Sequence, residues 1–336
     1  ISLAASNGFE TFVIVLSYLK EQSKKGIELL TALLKSPNYT QDTLNKLKTM
    51  QTGSLKRKEN DFDYVANNQL KSVLFKGTTL ENSAAGTIES ISKIELKDIE
   101  NFISQTVCLE NLIIVAGGDF ELKEFEKLVK PLLETLNVGK KAQLEEVNFI
   151  SKKEEKVLIK DTQQAYIYFG SSFNINSKDE ENYKAKVASF ILGGSGFGSR
   201  LMEEIRVKRG LAYSAYGSIS INKSHSYFNG YLQTKNETAD EAKKLVGEII
   251  EDFVKNGVTN DELSAAKNFL TGSEPLRSET LSQRLNRAFT LYYRGLEPNY
   301  SQKELEKIQN LELTDLNNYI KSHNEINNLT FSIVRK

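Results

Sequence analysis

The chain carries an internal copy of part of itself. Residues 40–54 (TQDTLNKLKTMQTGS) and residues 259–273 (TNDELSAAKNFLTGS) agree at seven of fifteen positions, at a constant offset of 219. Farther on, residues 94–103 (IELKDIENFI) match residues 311–320 (LELTDLNNYI) at an offset of 217. Order is kept and only two residues slip between the matches. Chance convergence of two helix starts accounts for one such match, whereas duplication accounts for both in sequence. A repeat restricts the fold more than any single motif does, because one supersecondary plan must serve both halves. In each copy a Thr stands where it can cap a helix, and the second copy adds Glu262 to make a capping box.

The surrounding elements repeat as well. Thr11 to Leu19 is a β-branched and aromatic run that reads as a strand, and Ser23 to Lys35 has helical spacing. Their counterparts are Ser226 to Gln233 and Ala239 to Lys255. Each copy then carries a further helix, as at Lys97 to Gln105, and a closing strand at Leu112 to Ala116 or Leu329 to Val334. This mixture predicts an α+β chain of two tandem homologous αβ domains, each a mainly antiparallel sheet with helices packed on one face. Val138 to Lys156 is rich in Lys and Glu and reads as the connection. The expected bounds are therefore 1–140, a linker at 141–155, and 156–336. Aligning Ser17-Tyr-Leu19 on Gly230-Tyr-Leu232 sets Ile1 opposite Tyr213 or Ser214. Glu155 to Leu211, about sixty residues, then has no partner in the first copy, which reads as N-terminally truncated.

Composition excludes more than it names. Of 336 residues, 44 are Lys or Arg and 44 are Asp or Glu, so nothing asks for a nucleic-acid backbone or an acidic membrane. The longest apolar run, Phe12 to Leu16, is far below the ~18 residues of a membrane span. A single cysteine, Cys108, excludes an internal disulfide and a multi-cysteine metal site. His225 and His323 are 98 residues apart, so they form no paired-histidine motif. His225 falls in a polar turn and is expected at the surface; His323 follows a helix near the C-terminus. The opening Ile-Ser-Leu-Ala-Ala-Ser shows no leader pattern. Abundant Lys and Asn suggest an AT-rich bacterial genome and leave the compartment open between periplasm and cytoplasm.

The densest chemistry is Ile191-Leu-Gly-Gly-Ser-Gly-Phe-Gly-Ser-Arg-Leu-Met-Glu-Glu-Ile-Arg-Val-Lys-Arg-Gly-Leu-Ala-Tyr-Ser-Ala-Tyr216. Its glycines do not make a phosphate loop: no Gly-Lys-Ser/Thr follows, and Ala185 to Leu192 reads as helix where a nucleotide loop would leave a strand. A flexible hinge between two helices fits the run better. Arg206 and Tyr213 lie seven apart, across Gly210, which ends a helix, and Leu211 to Ile221 then alternates like a strand. An Arg at a helix end and a Tyr on the next strand can converge and donate hydrogen bonds to a peptide carbonyl. The alternative is a surface Arg and a half-buried strand Tyr.

SRLMEEIRVKRGLAYSAY resembles the C-terminal half of the pitrilysin/insulinase-like metallopeptidases, peptidase family M16, which includes the mitochondrial processing peptidases. The Leu-Ala-Ala-Ser-Asn-Gly-Phe-Glu10 opening looks like the family's Leu-Asn-Ala-x-Thr-x-x-Glu strand. Gln164-Ala-Tyr-Ile-Tyr-Phe-Gly170 looks like the first strand of its second domain. The resemblance implies that Arg206 and Tyr213 hold the scissile carbonyl across from the zinc. It also implies that peptide lies against Leu3, Ala4, Ala5 and Ser6 as an added strand, near Gly193, Gly194, Gly196 and Gly198.

The departures from the family are as informative. The zinc motif His-x-x-Glu-His would fall before Ile1. A gapless alignment from Leu3 puts the third zinc ligand at Ser54 and an assisting Glu at Leu47, with no acidic residue between Thr43 and Lys58. Ser is a poor zinc ligand and Leu is none. The resemblance therefore implies a metal-free subunit, with zinc on an M16 partner chain or the assembly a homodimer. Two alternatives stay open: a complete zinc endopeptidase whose motif is missing from this chain, and a non-enzymatic core or assembly protein.

Overall fold

The computed structural model describes every residue except Phe9, so that member of the expected opening strand lies outside the described residues. In chain order the first elements are β1 (Ser2–Asn7), β2 (Phe12–Ser17), α1 (Ser23–Lys35), α2 (Gln41–Lys58), α3 (Phe62–Leu74), α4 (Ile88–Lys93), α5 (Leu96–Thr106) and α6 (Leu122–Leu133). Then come β3 (Glu154–Ile159), β4 (Gln164–Ser172), α7 (Asn182–Ser189), β5 (Ala212–Ile221), β6 (Ser226–Lys235), α8 (Ala239–Asn256) and α9 (Asn260–Gly272). The last are α10 (Leu281–Arg294), α11 (Tyr300–Gln309), α12 (Leu313–Ser322) and β7 (Thr330–Arg335).

Two compact units result. The first takes Ile1–Leu55, Gly86–Glu145 and Thr280–Phe289; the second takes Lys56–Ala85, Glu146–Glu279 and Thr290–Lys336. These bounds differ from a division at 141–155, and packing explains why. The α3 stripe Ala66, Leu70 and Leu74 is buried at helical spacing, and α3 packs on β4 and β7. Val147, inside the expected linker, is buried with Leu70, Leu74 and Phe75, and its N–H donates to the Ser224 carbonyl at 2.7 Å.

In the first unit, β1 and β2 pair antiparallel, and α1 packs on α6 through Ile27, Leu30, Val129 and Leu132. Leu112–Ala116 is not a strand here, although its exposure alternates. In the second unit the matching strand β7 is held only by β3 and β4. The first unit has no equivalent pair among the described residues, so the alternating run has no ladder to join.

The second unit is built on one five-stranded sheet, ordered β3-β7-β4-β6-β5, with only β3–β7 parallel. Alternation along β4 sends Ala165, Ile167 and Phe169 to the core side and Tyr166 and Tyr168 to the other. The core side is covered by α8, whose Ala242, Val246, Ile250 and Phe253 recur at three- and four-residue spacing. Each such large side chain contributes roughly 1.5–3 kcal/mol by leaving water. The long helices thus lie on one face, with α3 added over part of the other. Both repeat helices start as read: Thr40 Oγ1 accepts from the Thr43 N–H and Thr259 Oγ1 from the Glu262 N–H, each at 3.2 Å.

Candidate functional site

The glycine-rich run lies between helical segments, as expected. After α7 the chain makes a π turn at Phe190–Gly194, a loop, and a second π turn at Met202–Val207 before β5. Such wide turns recur at functional sites. Gly193 is buried, and an added Cβ would meet the backbone of Gly217 on β5, with its nitrogen at 2.4 Å. Close approach of two backbones, rather than freedom to move, therefore accounts for this glycine. Gly194 lies against the Ser189 carbonyl. Gly196 and Gly198 have φ of +69° and +93°, which side chains seldom adopt. Between them the Phe197 ring is 69% exposed. Buried Ser199 closes the loop by donating its hydroxyl to the Gly196 carbonyl at 2.8 Å.

Arg200 anchors the end of that loop. Its guanidinium donates to both Glu262 carboxylate oxygens, at 2.6 and 2.8 Å, and to the Gly257 carbonyl at 2.7 Å. Burial pushes the Glu262 carboxyl up, but the Arg200 and Thr259 bonds outweigh burial and hold it below the usual range.

Arg206 and Tyr213 are brought together. The guanidinium carbon lies 4.4 Å from the Tyr213 ring centre and 4.6 Å from that of Phe197, so two rings hold Arg206. The backbone explains how Tyr213 reaches this position. Ala212 is paired with Thr234 and Ala215 with Leu232, so Tyr213 and Ser214 together face Gln233 in a β-bulge. The bulge leaves Tyr213 80% exposed.

Leu3, Ala4, Ala5 and Ser6 lie on exposed β1 in the first unit, opposite Leu16, Val15, Ile14 and Val13. Among the described residues β1 pairs with β2 alone, which leaves its other edge open. Ser54 is half-buried in α2 and Leu47 on the same helix is 56% exposed. Among the described residues no group of three or more His, Cys, Asp and Glu side chains is placed to hold a metal. A zinc site does not fit these positions.

His225 is not at the surface. It is buried, its ring 5.2 Å from Phe75 and 5.4 Å from Tyr227, with Nδ1 2.9 Å from the Ser224 hydroxyl. The end of α3 covers the turn, a packing contributed from about 150 residues earlier in the chain and not visible in the turn itself. His323 stacks on Phe173 at 4.4 Å and pairs through Nδ1 with Glu325 at 2.8 Å, a structural arrangement. Cys108 is buried.

The family model described as "Peptidase M16 inactive domain" matches residues 93–270, a span that includes the Arg206–Tyr213 segment. A Helicobacter pylori protein, "Non-peptidase homolog YmxG", is 46% identical over 334 residues, covering 99% of this chain and 77% of the relative.

The chain belongs to the peptidase M16 family.

A Bacillus subtilis relative, "Uncharacterized zinc protease YmxG", is 22% identical over 269 residues, covering 80% of this chain and 65% of that protein. The chain thus spans about two thirds to three quarters of the length of these two relatives. The solved M16 inactive domain from Pseudomonas fluorescens superposes with a TM-score of 0.91 at 21% identity, covering 99% of this chain and 80% of that one. This likeness shows the M16 fold. Sequence reading missed two features of this segment: Phe197 as the second ring on Arg206, and the bulge that presents Tyr213. An aromatic between two glycines was the available signal for the first. The bulge had none, because it depends on the register with β6.

Proposed function

We propose that this chain is the metal-free half of a two-chain M16-type peptidase, binding peptide and supplying Arg206 and Tyr213 to the reacting carbonyl. The observation that carries the reading is the pair itself: an exposed Tyr213 hydroxyl beside a guanidinium steadied by two rings. The Arg206 guanidinium donates no hydrogen bond to a side chain or backbone group among the described residues, so its N–H edge is free to donate. The open edge of β1 at Leu3–Ser6 would receive the peptide main chain as a further strand. Zinc on a partner chain would supply the attacking water. The residues of this chain bind, orient and stabilise the carbonyl oxygen as charge develops.

Tyr213→Phe tests the proposal. In the assembly with a partner bearing His-x-x-Glu-His, losing one donor should slow peptide cleavage by about a hundredfold, ~3 kcal/mol, with the melting temperature unchanged. Unchanged turnover, or a loss that only follows lost stability, favours the second reading, a non-enzymatic assembly protein. The name of the 46% identical relative, "Non-peptidase homolog", supports that second reading.

A further inference from the structure

Strand β3 ends the large sheet, and among the described residues its one ladder is with β7. Lys160 donates its N–H to the Arg335 carbonyl at 2.9 Å, so the even-numbered residues of β3 turn their main-chain groups towards β7. Those of Glu155, Val157 and Ile159 point the other way, to the open edge. Folded proteins guard such an edge with charge, Pro or a bulge. The second half of β3 lacks that guard: Val157 is 39% and Ile159 66% exposed.

The charges around this apolar stretch are ordered so that they can pair with themselves. Lys153 and Glu154 precede it, and Lys160 and Asp161 follow it. Let a second β3 run antiparallel to the first, with Val157 opposite Val157 of the partner subunit. Glu154 then comes opposite the partner's Lys160, and Lys153 opposite the partner's Asp161, each twice by symmetry. Glu155 comes opposite the partner's Ile159, so the hydrogen-bonded pairs fall on the residues whose main-chain groups are open. Neighbouring registers fail on charge. A two-fold axis at Lys156 sets that lysine against itself and Lys152 against the partner's Lys160. An axis at Leu158 sets Lys156 against the partner's Lys160 and Glu155 against the partner's Asp161. Nor are the four outer charges committed elsewhere. Glu154 is only 3.9 Å from Lys156 and Asp161 only 3.9 Å from Lys336, while Lys153 and Lys160 form no ion pair among the described residues.

The helix side of this edge has room for an incoming side chain. Glu155 is paired with Phe331 on β7 and accepts from Lys243 of α8 at 2.8 Å, so it lies on the α8 side of the sheet. A cavity of about 510 Å³ lies there, lined by Glu155, Leu329, Phe331 and Gly247. Nothing stands within 4 Å of a Cβ added at Gly247. The Val157 register brings the partner's Ile159 to Glu155, at the margin of this cavity, and takes an exposed isoleucine out of water on each side.

We propose that two copies of this chain pair through β3, antiparallel about Val157, and join their five-stranded sheets into one. The edge is at the opposite end of the sheet from β5, which carries Tyr213, so the proposal does not rest on the peptide-binding reading.

Sedimentation velocity over a protein concentration series tests it on the whole chain. The parent should pass from monomer to dimer as concentration rises. Val157→Lys, which sets two ammonium groups against each other on the axis, should stay monomeric. Its melting temperature at the dilute end should match the parent's, because position 157 is exposed. Lys160→Glu turns two attractive pairs into repulsive ones and should weaken the dimer by about tenfold. Adding Glu154→Lys to it should restore the parent affinity, since the two positions face each other in this register alone. A parent that stays monomeric up to millimolar concentration, a dimer that tolerates Val157→Lys, or a double reversal that binds no tighter than Lys160→Glu would overturn the proposal.

Discussion

Replacing Gly193 with Ala asks the structure for room it does not have. The added Cβ would lie 2.4 Å from the Gly217 nitrogen, 2.7 Å from its oxygen and 2.8 Å from its Cα. Ordinary contact begins at 3.4 Å, so the nearest approach is short by about 1 Å. Every obstructing atom is main chain of β5, a strand already bonded to β6, so no side chain can rotate away. The π turn and the strand must separate, which loosens Leu201 and Phe228, both packed against Gly217. Overfilling a packed core costs ~1–3 kcal/mol, and a backbone obstacle puts the expectation at the upper end. About 3 kcal/mol corresponds to a fall of roughly 6–12 °C in Tm for a unit of this size. Gly247→Ala in α8 is the matched control. Nothing lies within 4 Å of its added Cβ, so the helix should gain ~0.5–1 kcal/mol. Thermal melts followed by circular dichroism compare the two variants. A Gly193→Ala protein melting within about 1 °C of the parent would refute the packing argument. Substrate contact would then have to explain the glycine.

Two further outcomes follow from single sites. Glu262 is held below its ordinary carboxyl value, so its stabilising contribution is full above about pH 4.5 and is lost as pH falls through the lower folded value. Urea unfolding across a pH series should therefore find Glu262→Gln less stable than the parent at neutral pH, with the gap closing in acid; a gap independent of pH would contradict this. Dialysis against a chelator should leave the melting curve unchanged, because among the described residues no three His, Cys, Asp or Glu side chains are placed to hold a metal. One tightly held zinc per chain in metal analysis would overturn that expectation.

Features encoded locally were legible, and features set by distant partners were not. The helix over Ser23–Lys35 has the bounds its spacing predicts, and the strand runs at Gln164, Leu211 and Ser226 all fall on the large sheet. Their periodicities are properties of neighbours in sequence. Leu112–Ala116 alternates just as clearly but forms no strand, since a strand also needs a ladder partner. His225 sits in a turn as polar as any surface loop, yet Phe75 covers it from another element. Gly193, Gly196 and Gly198 looked alike as a flexible run. Structure separates them: the first is held against a strand, and the other two adopt positive φ.

How each arginine of the SRLMEEIRVKRG segment is held decides what it can still bind. Arg200 is committed: its fork goes to Glu262 and to the Gly257 carbonyl. Arg209 is tied to the carbonyl and carboxylate of Glu204. A guanidinium oriented by a carboxylate gives up its in-plane N–H groups to that partner. Arg206 is held over the rings of Phe197 and Tyr213 instead, a contact that uses no N–H donor on an oxygen. Its edge, with five donors, remains open beside a tyrosine hydroxyl that the β5 bulge turns outward. Ring contact thus supplies rigidity without using donors, a combination suited to receiving a carbonyl oxygen that gains charge. It also makes the substitution of Arg206 by Lys unlike a conservative change, since an ammonium would keep the charge and lose both the flat faces and the fork.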